Sequence, residues 1–560
     1  MIRPLRLAFF TLVSLGLLGS SLGAQEPPAR PRLVVLLSID QFRADYQTRF
    51  ADLYLPATAK GSVGGFRYLM ERGAYHTDAH HDHFPLLTGP GHSVLLTGAP
   101  PYKTGIVGND WFDRGLGRDR YCVEDPDSPL VGTSTAGPGI SPATLRVSTV
   151  GDELTMATGG RAKVWGLALK DRAAVLMAGH LADGVLWLDD QTGAWITSRF
   201  YRKDGTLPAW VAEWNAGKKI DAFFGRSWTL SVPPSALERL WTPDNRYASD
   251  PSGLGKSFAH KVDGGLTQPG PRFYTAFKIT PYANAYVLDT ARELVRREGL
   301  GADTVPDVLA INLSSHDYIG HAYGPDSAEV LDVSVQTDRD LSAFFNFLAK
   351  AVPGGLASVT IVVSADHGVA PIAPAAKEAG LPAGVFTRAV VSKAAEDALD
   401  AAFGPADWSQ RFIESNLYLN LATLTAKGIA AERAEEVAAG ALRALPGIYT
   451  AYTRSQLLAG RMLDNDIARR VSRSFHPKVS GDVTVVVEPF WVPGRSTGAT
   501  HGAPYAYDTA VPLLLAGAGI RPGRYTQRVS TLDIAPTLSD LLGILQPSGC
   551  EGRILSHAVR

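Results

Sequence analysis

Two short patterns in the sequence combine the residue types and the spacing of metal ligands. Asp317 and His321 are four residues apart, so on one turn of a helix both side chains reach the same side. Asp366 and His367 come shortly after the apolar run Val359–Val363, which is typical of a buried strand. A carboxylate beside an imidazole can bind one ion, and oxygen together with nitrogen ligands suits zinc.

Two further residues stand where such a site would need them. Asp40 ends the apolar run Leu33–Ile39, and His501 lies in a loop rich in Gly and Thr that follows Val483–Val487. A lone aspartate at such a position is more often a helix cap or turn residue, and a lone loop histidine is more often hydrogen-bonded or solvated. Only the combination of all six residues predicts two clusters of ligands for zinc.

The other histidines examined are interpreted as structural. The run His80-His81-Asp82-His83 has metal-like composition, but no apolar strand precedes it to hold its side chains in place. The same interpretation applies to His92, His180, His260 and His476.

Thr88 is the candidate nucleophile. It stands just ahead of a helical stretch, where free N–H groups and the positive end of the helix dipole favour an anion. Taken alone, the segment is explained as well by an ordinary N-cap threonine. The functional alternative is a hydroxyl activated by metal coordination, because unaided threonine is a weak nucleophile.

Three polar residues are candidates for binding a phosphoryl group. Asn109 can donate to a phosphoryl oxygen, and Lys170 and Arg172 lie two residues apart. In an extended chain that spacing puts both cations on one side of the backbone, where they match the dianion of a phosphate monoester. The alternative is a solvated charged turn.

The elements that must position these residues follow an alternating pattern. Short apolar runs of strand length, rich in Val, Ile and Leu, are Leu33–Ile39, Val164–Leu169, Val308–Leu313 and Val359–Val363. Helical patterns between or after them are Gly64–Arg72, Tyr286–Arg297, Ser327–Ala351 and Ala431–Leu445. The pattern predicts an α/β fold with a mainly parallel sheet covered by helices on both faces. The polar residues fall at the carboxyl ends of its strands, where ligands bind in such folds.

The remaining segments divide the chain of 560 residues. Residues 1–24 have the charged start, apolar run and small residues of a secretory signal peptide, and 25–31 form an extended linker. We expect one catalytic domain over 32–560, with a long loop at about 108–147 and an inserted lid or cap segment at about 180–285. The predicted location is therefore secreted and periplasmic, with no membrane span in the mature chain.

Composition excludes some classes of protein. With 54 Lys and Arg against 55 Asp and Glu, the net charge of −1 argues against a nucleic-acid coat. Two cysteines cannot form a disulfide framework or a cysteine-rich zinc module. Cys122 and Cys550 can pair in an oxidising compartment only if the fold brings them together.

The ordered set of motifs resembles the alkaline phosphatase superfamily and is most similar to its phosphate-irrepressible bacterial enzymes of the PafA type. In order along the chain, the motifs are Ser38 to Gln41, Thr88 to His92, Gly108 to Asp110, Lys170 to Arg172, Asp317 to His321, Ser364 to Gly368 and Thr500 to Gly502. Each motif is weak alone, but together they cover most of the chain. The resemblance implies the same doubly covered α/β fold.

The resemblance also implies a role for each site residue. One zinc ion would bind Asp40, Thr88, Asp366 and His367, and a second would bind Asp317, His321 and His501. Asn109, Lys170 and Arg172 would contact the non-bridging phosphoryl oxygens. The expected enzyme is a monomer that scavenges phosphate from a broad range of monoesters through a phosphothreonine intermediate.

Three other functions are alternatives to a phosphate monoesterase. A phosphodiesterase of the same superfamily would share the metal ligands, the threonine and the asparagine, and the Lys170 and Arg172 pair is what favours monoesters. A sulfatase would need Cys or Ser in C/S-x-P-x-R, whereas this chain has Thr88-Gly89-Pro90-Gly91-His92. An exported protein that only binds metal or phosphate would not need Thr88 as a nucleophile.

Overall fold

The computed structural model of the protein describes residues 30–560 apart from residues 243, 251 and 495. The predicted signal peptide and most of the linker lie outside the described residues. Within them, a ten-stranded sheet forms the centre of the molecule. Its strands in chain order are β1 Leu33–Ile39, β2 Ala74–His76, β3 Leu130–Val131, β4 Val164–Ala168, β5 Gly184–Leu188, β6 Trp195–Ser198, β7 Asp307–Leu313, β8 Val359–Ser364, β9 Leu513–Gly517 and β10 Gly523–Tyr525.

The central sheet is mainly parallel, as predicted. Its strand order is β10-β2-β9-β8-β1-β7-β4-β5-β6-β3. The neighbours from β8 to β5 all pair in parallel, and antiparallel pairs occur only towards the two edges. Ser38 in β1 pairs with Ser364 in β8 and with Asn312 in β7, so these three strands end at the same level.

Helices cover both faces of the sheet because alternate residues of the buried strands point in opposite directions. In β1, Val35 and Leu37 belong to one apolar cluster, and Val34 and Leu36 belong to the other. The helices nearest the sheet and the site are α1 Phe66–Arg72, α2 Thr88–Thr97, α3 Val150–Thr158, α4 Asp171–Ala178, α5 Pro281–Glu298, α6 Ser315–Tyr323, α7 Ala328–Ala351 and α8 Ile534–Leu542. Residues of α1, α5 and α7 pack on the first face, and residues of α2, α3 and α8 pack on the second.

A second, smaller sheet lies within residues 388–487, which we call the four-stranded unit. Its antiparallel strands run in the order Ser409–Ile413, Asn416–Leu419, Val483–Val487 and Ile448–Thr453. The helices Arg388–Phe403 and Ala431–Arg443 pack on it and complete an apolar core of its own. The sequence pattern located one of these strands and one helix but did not identify a separate unit.

Two predicted boundaries differ from the structure. The segment at 180–285 is only in part an insertion, because β5 and β6 belong to the central sheet. Their tryptophans, Trp187 and Trp195, and the turn between them hid the apolar pattern of the strands. The predicted loop at 108–147 contains the polar hairpin Asp110–Asp113 with Arg118–Tyr121, followed by β3 at the sheet edge.

The two cysteines are free and do not form the bridge considered above. They lie at opposite ends of α2, since a Cβ added to Gly89 would meet Cys122 and one added to Gly98 would meet Cys550. A helix of 10 residues spans about 15 Å, whereas bridged cysteines need Cα atoms within about 7 Å. Among the described residues, no helix is long and apolar enough to cross a membrane.

Candidate metal centre and phosphate site

Four neighbouring strands deliver acidic and basic residues to one point. Asp40 directly follows β1, Asp366 follows β8, Asp317 lies in the first turn of α6 after β7, and Lys170 follows β4. All four side chains are buried. The Lys170 Nζ lies 2.9 Å from Asp40 Oδ2 and 2.5 Å from Asp317 Oδ2, so one ammonium group joins carboxylates from two strand ends.

Asp40, Asp366 and His367 form the first candidate metal cluster. The His367 Nε2 lies 3.2 Å from Asp366 Oδ2 and 3.7 Å from Asp40 Oδ1. Each of these three atoms is buried without a hydrogen-bond partner among the described residues. Because unpartnered buried polar atoms are costly, three that face one another fit a cation that coordinates all of them.

Asp317, His321 and His501 form the second candidate cluster. The Asp317 Oδ1 lies 3.2 Å from His321 Nε2 and 3.7 Å from His501 Nε2. Asp317 and His321 are on one turn of α6, as their spacing predicted. The two clusters touch, because the rings of His367 and His501 stack with centroids 3.5 Å apart.

Backbone carbonyl groups orient all three candidate histidine ligands in the same way. The Nδ1 atoms of His321, His367 and His501 lie 2.7, 2.9 and 2.7 Å from the carbonyl oxygens of Ala499, Gly368 and Leu86. Each Nδ1–H therefore donates, which leaves the Nε2 lone pair directed at the carboxylates. This is the arrangement that metal-binding histidines adopt, so the donor set fits zinc.

His92 also approaches the first cluster, with Nδ1 3.3 Å from Asp366 Oδ2. Its nitrogens are nevertheless both in use, since Nδ1 lies 2.9 Å from the Thr88 carbonyl oxygen and Nε2 lies 2.8 Å from the donating amide of Asn312. Burial lowers the pKa of His92 to about 4, so the ring is neutral. This supports the structural interpretation of His92. By proximity alone, among the described residues, His367 groups with Asp317 and His501, and His92 groups with Asp40 and Asp366. His367 is placed in the first candidate cluster because its Nε2 faces the unpartnered oxygens of Asp366 and Asp40.

The charges of the site do not balance without a cation. Burial and the neighbouring Asp366 raise the pKa of Asp40 to about 8. Burial lowers the pKa of His367, but the charge of Asp366 outweighs it and raises the value to about 9. Protons thus take the place of missing positive charge, and a metal ion would replace them.

Thr88 is the first residue of α2, and its hydroxyl does not cap the helix. The N-cap residue is Leu87, whose backbone is extended and whose side chain makes no cap bond. The Arg172 Nη2 lies 3.4 Å from Thr88 Oγ1. A Cβ at Gly91 would collide with the Asp366 carbonyl, so glycine lets the start of α2 approach the first cluster closely.

Asn109 and Arg172 are held beside Thr88 by further contacts. The Gly89 N–H donates to Asn109 Oδ1 at 2.7 Å, next to the free N–H groups of the helix start. Tyr121 lies 3.3 Å from Arg172 Nη1. Lys170 is the N-cap residue of α4 and Arg172 lies in its first turn, so their convergence arises from a helix start and not from an extended chain.

The structure adds two residues whose roles the sequence did not reveal. Gln41, at φ 65°, donates from its backbone N–H to Asp366 Oδ1 at 3.1 Å and from Nε2 to Asp317 Oδ1 at 2.7 Å. It therefore links the two clusters. Glu414 comes from the four-stranded unit, and its Oε2 accepts from the Asn109 N–H at 2.8 Å. Gln41 stood inside a motif beside Asp40, whereas no spacing in the sequence pointed to Glu414.

Comparison with known proteins agrees with this architecture. The model of the type I phosphodiesterase / nucleotide pyrophosphatase family matches residues 34–506. Alkaline phosphatase PhoV of Synechococcus elongatus is 34% identical over 535 residues, which cover 95% of this chain and 94% of PhoV. A protein of Myroides odoratus named calcium-transporting ATPase is 32% identical over 541 residues, 96% of each chain. The crystal structure of wild-type alkaline phosphatase PafA matches with a TM-score of 0.85 and 31% identity, over 95% of this chain and 99% of PafA.

The doubly covered sheet with carboxylates, imidazoles and cations at its strand ends is the architecture that these relatives share. The chain belongs to the type I phosphodiesterase / nucleotide pyrophosphatase family. Within that family it is a phosphatase of the alkaline phosphatase superfamily, so the resemblance found in the sequence is confirmed.

Proposed function

We propose that the protein is an exported phosphatase that hydrolyses phosphate monoesters through a covalent phosphothreonine at Thr88. The observation that carries the proposal is the convergence of Arg172 and Lys170 with Thr88 on the two candidate metal clusters. Two zinc ions per chain, when bound, would activate the Thr88 hydroxyl and offset charge on the leaving oxygen. The ligands would be Asp40, Thr88, Asp366 and His367 for one ion and Asp317, His321 and His501 for the other.

The residues of the chain bind and orient the phosphoryl group. Arg172, Lys170 and Asn109 hold its non-bridging oxygens, and the N–H groups at the start of α2 add positive potential. The Thr88 oxygen attacks phosphorus as the bond from phosphorus to the leaving oxygen breaks. Water then attacks the phosphothreonine, and inorganic phosphate leaves. Positioning and charge neutralisation supply most of the catalysis in such transfers.

The main alternative is a phosphodiesterase, which the family match over residues 34–506 favours. Monoesters fit the site better because Lys170 and Arg172 both lie at the phosphate site and can offset two negative charges. A monoester phosphoryl group carries two negative charges, whereas a diester carries one and has a second substituent to accommodate.

Export, substrate range and oligomeric state belong to the same proposal. The charged and apolar start of the sequence at 1–24 supports export to the periplasm, and the expected mature chain begins at Gln25. We propose a monomer that releases phosphate from many monoesters for scavenging, as its resemblance to bacterial alkaline phosphatases suggests.

Replacing the nucleophile tests the proposed mechanism. Thr88→Ala should abolish the phosphoenzyme and lower kcat/KM for an aryl phosphate by at least about 1000-fold, because no other group can take the phosphoryl group. Acid-quenched mass spectrometry measures the phosphoenzyme, and Thr88→Ser is the matched control that should form phosphoserine. Turnover by Thr88→Ala within a few-fold of wild type would show that Thr88 is not the nucleophile.

Substrate charge separates monoesterase from diesterase. Arg172→Ala and Lys170→Ala should lower kcat/KM for an aryl phosphate at least about tenfold more than for a diaryl phosphate, because a charge-assisted contact is lost only where the second charge is present. Lys393→Ala removes an exposed cation that pairs with Asp397, and it should leave kcat/KM unchanged for both substrates. Equal losses on both substrates would contradict the role of the pair.

A further inference from the structure

A pocket of about 160 Å³ lies beside the metal centre, between the central sheet and the four-stranded unit. We call it the side pocket. Most of its wall is apolar or aromatic, and the residues that form this wall are Phe84, Phe386, Phe412, Val485, Val487 and Trp491.

Three other wall residues connect the side pocket to the reacting groups. Leu87 immediately precedes Thr88 and is the N-cap residue of α2. His501 faces Asp317 of the second cluster with its Nε2 3.7 Å from Oδ1. Glu414 accepts from the Asn109 N–H at 2.8 Å. The pocket therefore begins where the nucleophile, the second cluster and the phosphate-binding residues meet.

The side pocket lies next to the cluster that would receive the leaving oxygen of the ester. Attack by Thr88 drives the leaving oxygen away from α2, and the proposed function gives the charge on that oxygen to the cluster that contains His501. Because His501 also lines the side pocket, a carbon skeleton attached to an oxygen at that cluster is within reach of the pocket.

The size and the wall of the pocket define what fits. A cavity of about 150 Å³ lined by apolar side chains holds one benzene ring, so this pocket has room for a single six-membered ring. The ring of Trp491 packs on Gly384 and Gly447, where any Cβ would collide with it, so this part of the wall is fixed. The polar groups of Glu414 and His501 already bond to Asn109 and to the Leu86 carbonyl. Arg388, Ser415, Thr500 and Asp508 also line the pocket, but apolar and aromatic residues outnumber the polar ones, so apolar contact is the main interaction for an uncharged group.

We propose that the side pocket binds the leaving group of the ester and selects an aryl or arylmethyl group over a short alkyl group. This inference rests on the proposed monoesterase function and adds the class of substrate to it.

Benzyl phosphate and ethyl phosphate test the inference, because their alcohols have similar acidity and the comparison reports on binding of the group. For the wild-type holoenzyme we expect kcat/KM to be at least about tenfold higher for benzyl phosphate, the effect of burying one ring. Benzylphosphonate should inhibit at least about tenfold more tightly than ethylphosphonate, which measures the same preference without chemistry.

Two pocket variants and one control sharpen the test. Phe412→Ala removes part of the wall and Val487→Phe fills the space, and both should bring the benzyl-to-ethyl ratio close to 1. Phe347→Ala, on α7 beside Arg296, removes a phenyl ring away from the pocket and should leave the ratio as in wild type.

The outcomes separate this inference from the function on which it rests. Similar turnover of both phosphates by the wild type, or a ratio that Phe412→Ala and Val487→Phe leave unchanged, would overturn the inference alone. If the wild type turned over neither phosphate, the proposed monoesterase function would fail, and the inference would fail with it.

Discussion

At the scale of single residues, Glu414 is the unexpected member of the site. It is a half-buried carboxylate beside a site that must attract an anion, and desolvation together with the charge of Asp110 raises its pKa to about 8. Its backbone has φ 44° and that of the next residue, Ser415, has φ 73°, because the two residues form the tight turn of the hairpin in which Ile413 pairs with Asn416. The turn places the Glu414 carboxylate against the Asn109 backbone, and the bond at 2.8 Å indicates a role in orienting Asn109.

Variants of Glu414 should separate orientation from charge. Glu414→Ala leaves the Asn109 N–H without its acceptor, so we expect kcat/KM for monoesters to fall and the inhibition constant of inorganic phosphate to rise, each about tenfold. Glu414→Gln keeps an acceptor oxygen and should recover most of both values. If Glu414→Gln were as impaired as Glu414→Ala, or if phosphate inhibition did not change in either, Glu414 would not position Asn109.

The site residues that could be predicted from sequence were those that form short motifs with the spacing of metal ligands. The Asp317 and His321 pair and the Asp366 and His367 step needed only a helix turn or a strand end to place them. Glu414 could not be found in this way, because its contact with Asn109 joins positions 305 residues apart. Such a contact depends on how two sheets meet, which no local pattern encodes.

At the scale of elements, most of the buried parallel strands were predictable, and the half-exposed strand Ser409–Ile413 was not. β1 coincides with its apolar run because it is buried on both faces and Ser38 is its only polar residue. In the four-stranded unit, Ser409–Ile413 is half exposed and too short to stand out. β5 and β6 were missed for a different reason. Both are buried, and β5 pairs in parallel with β4, but tryptophans and a polar turn interrupt the apolar pattern of their hairpin.

At the scale of the whole molecule, the candidate metal ligands join distant parts of the chain. Asp40, Asp317, Asp366 and His501 come from segments that span more than 450 residues, and the first three end or follow adjacent strands of one sheet. The ammonium group of Lys170 contacts two of the three buried carboxylates, those of Asp40 and Asp317. A metal ion bound there would act as a cross-link and would offset the repulsion between the carboxylates.

Removing metal should therefore destabilise the entire fold. A ligand present at about 1000 times its Kd stabilises the folded state by about 4 kcal/mol. Because the unfolding entropy of a chain of this length is about 1 kcal/mol per degree, removing one ion should lower Tm by about 4 °C, and added zinc should restore it. Elemental analysis should find two zinc ions in the wild type and fewer in His501→Gln, whose Tm should respond less to chelation. His180→Gln, a half-buried histidine paired with Asp152 away from the site, should respond as the wild type does. A Tm that is the same with and without chelator in the wild type would mean that these residues hold no structural ion, because three buried carboxylates cannot lose a bound cation without a change in stability.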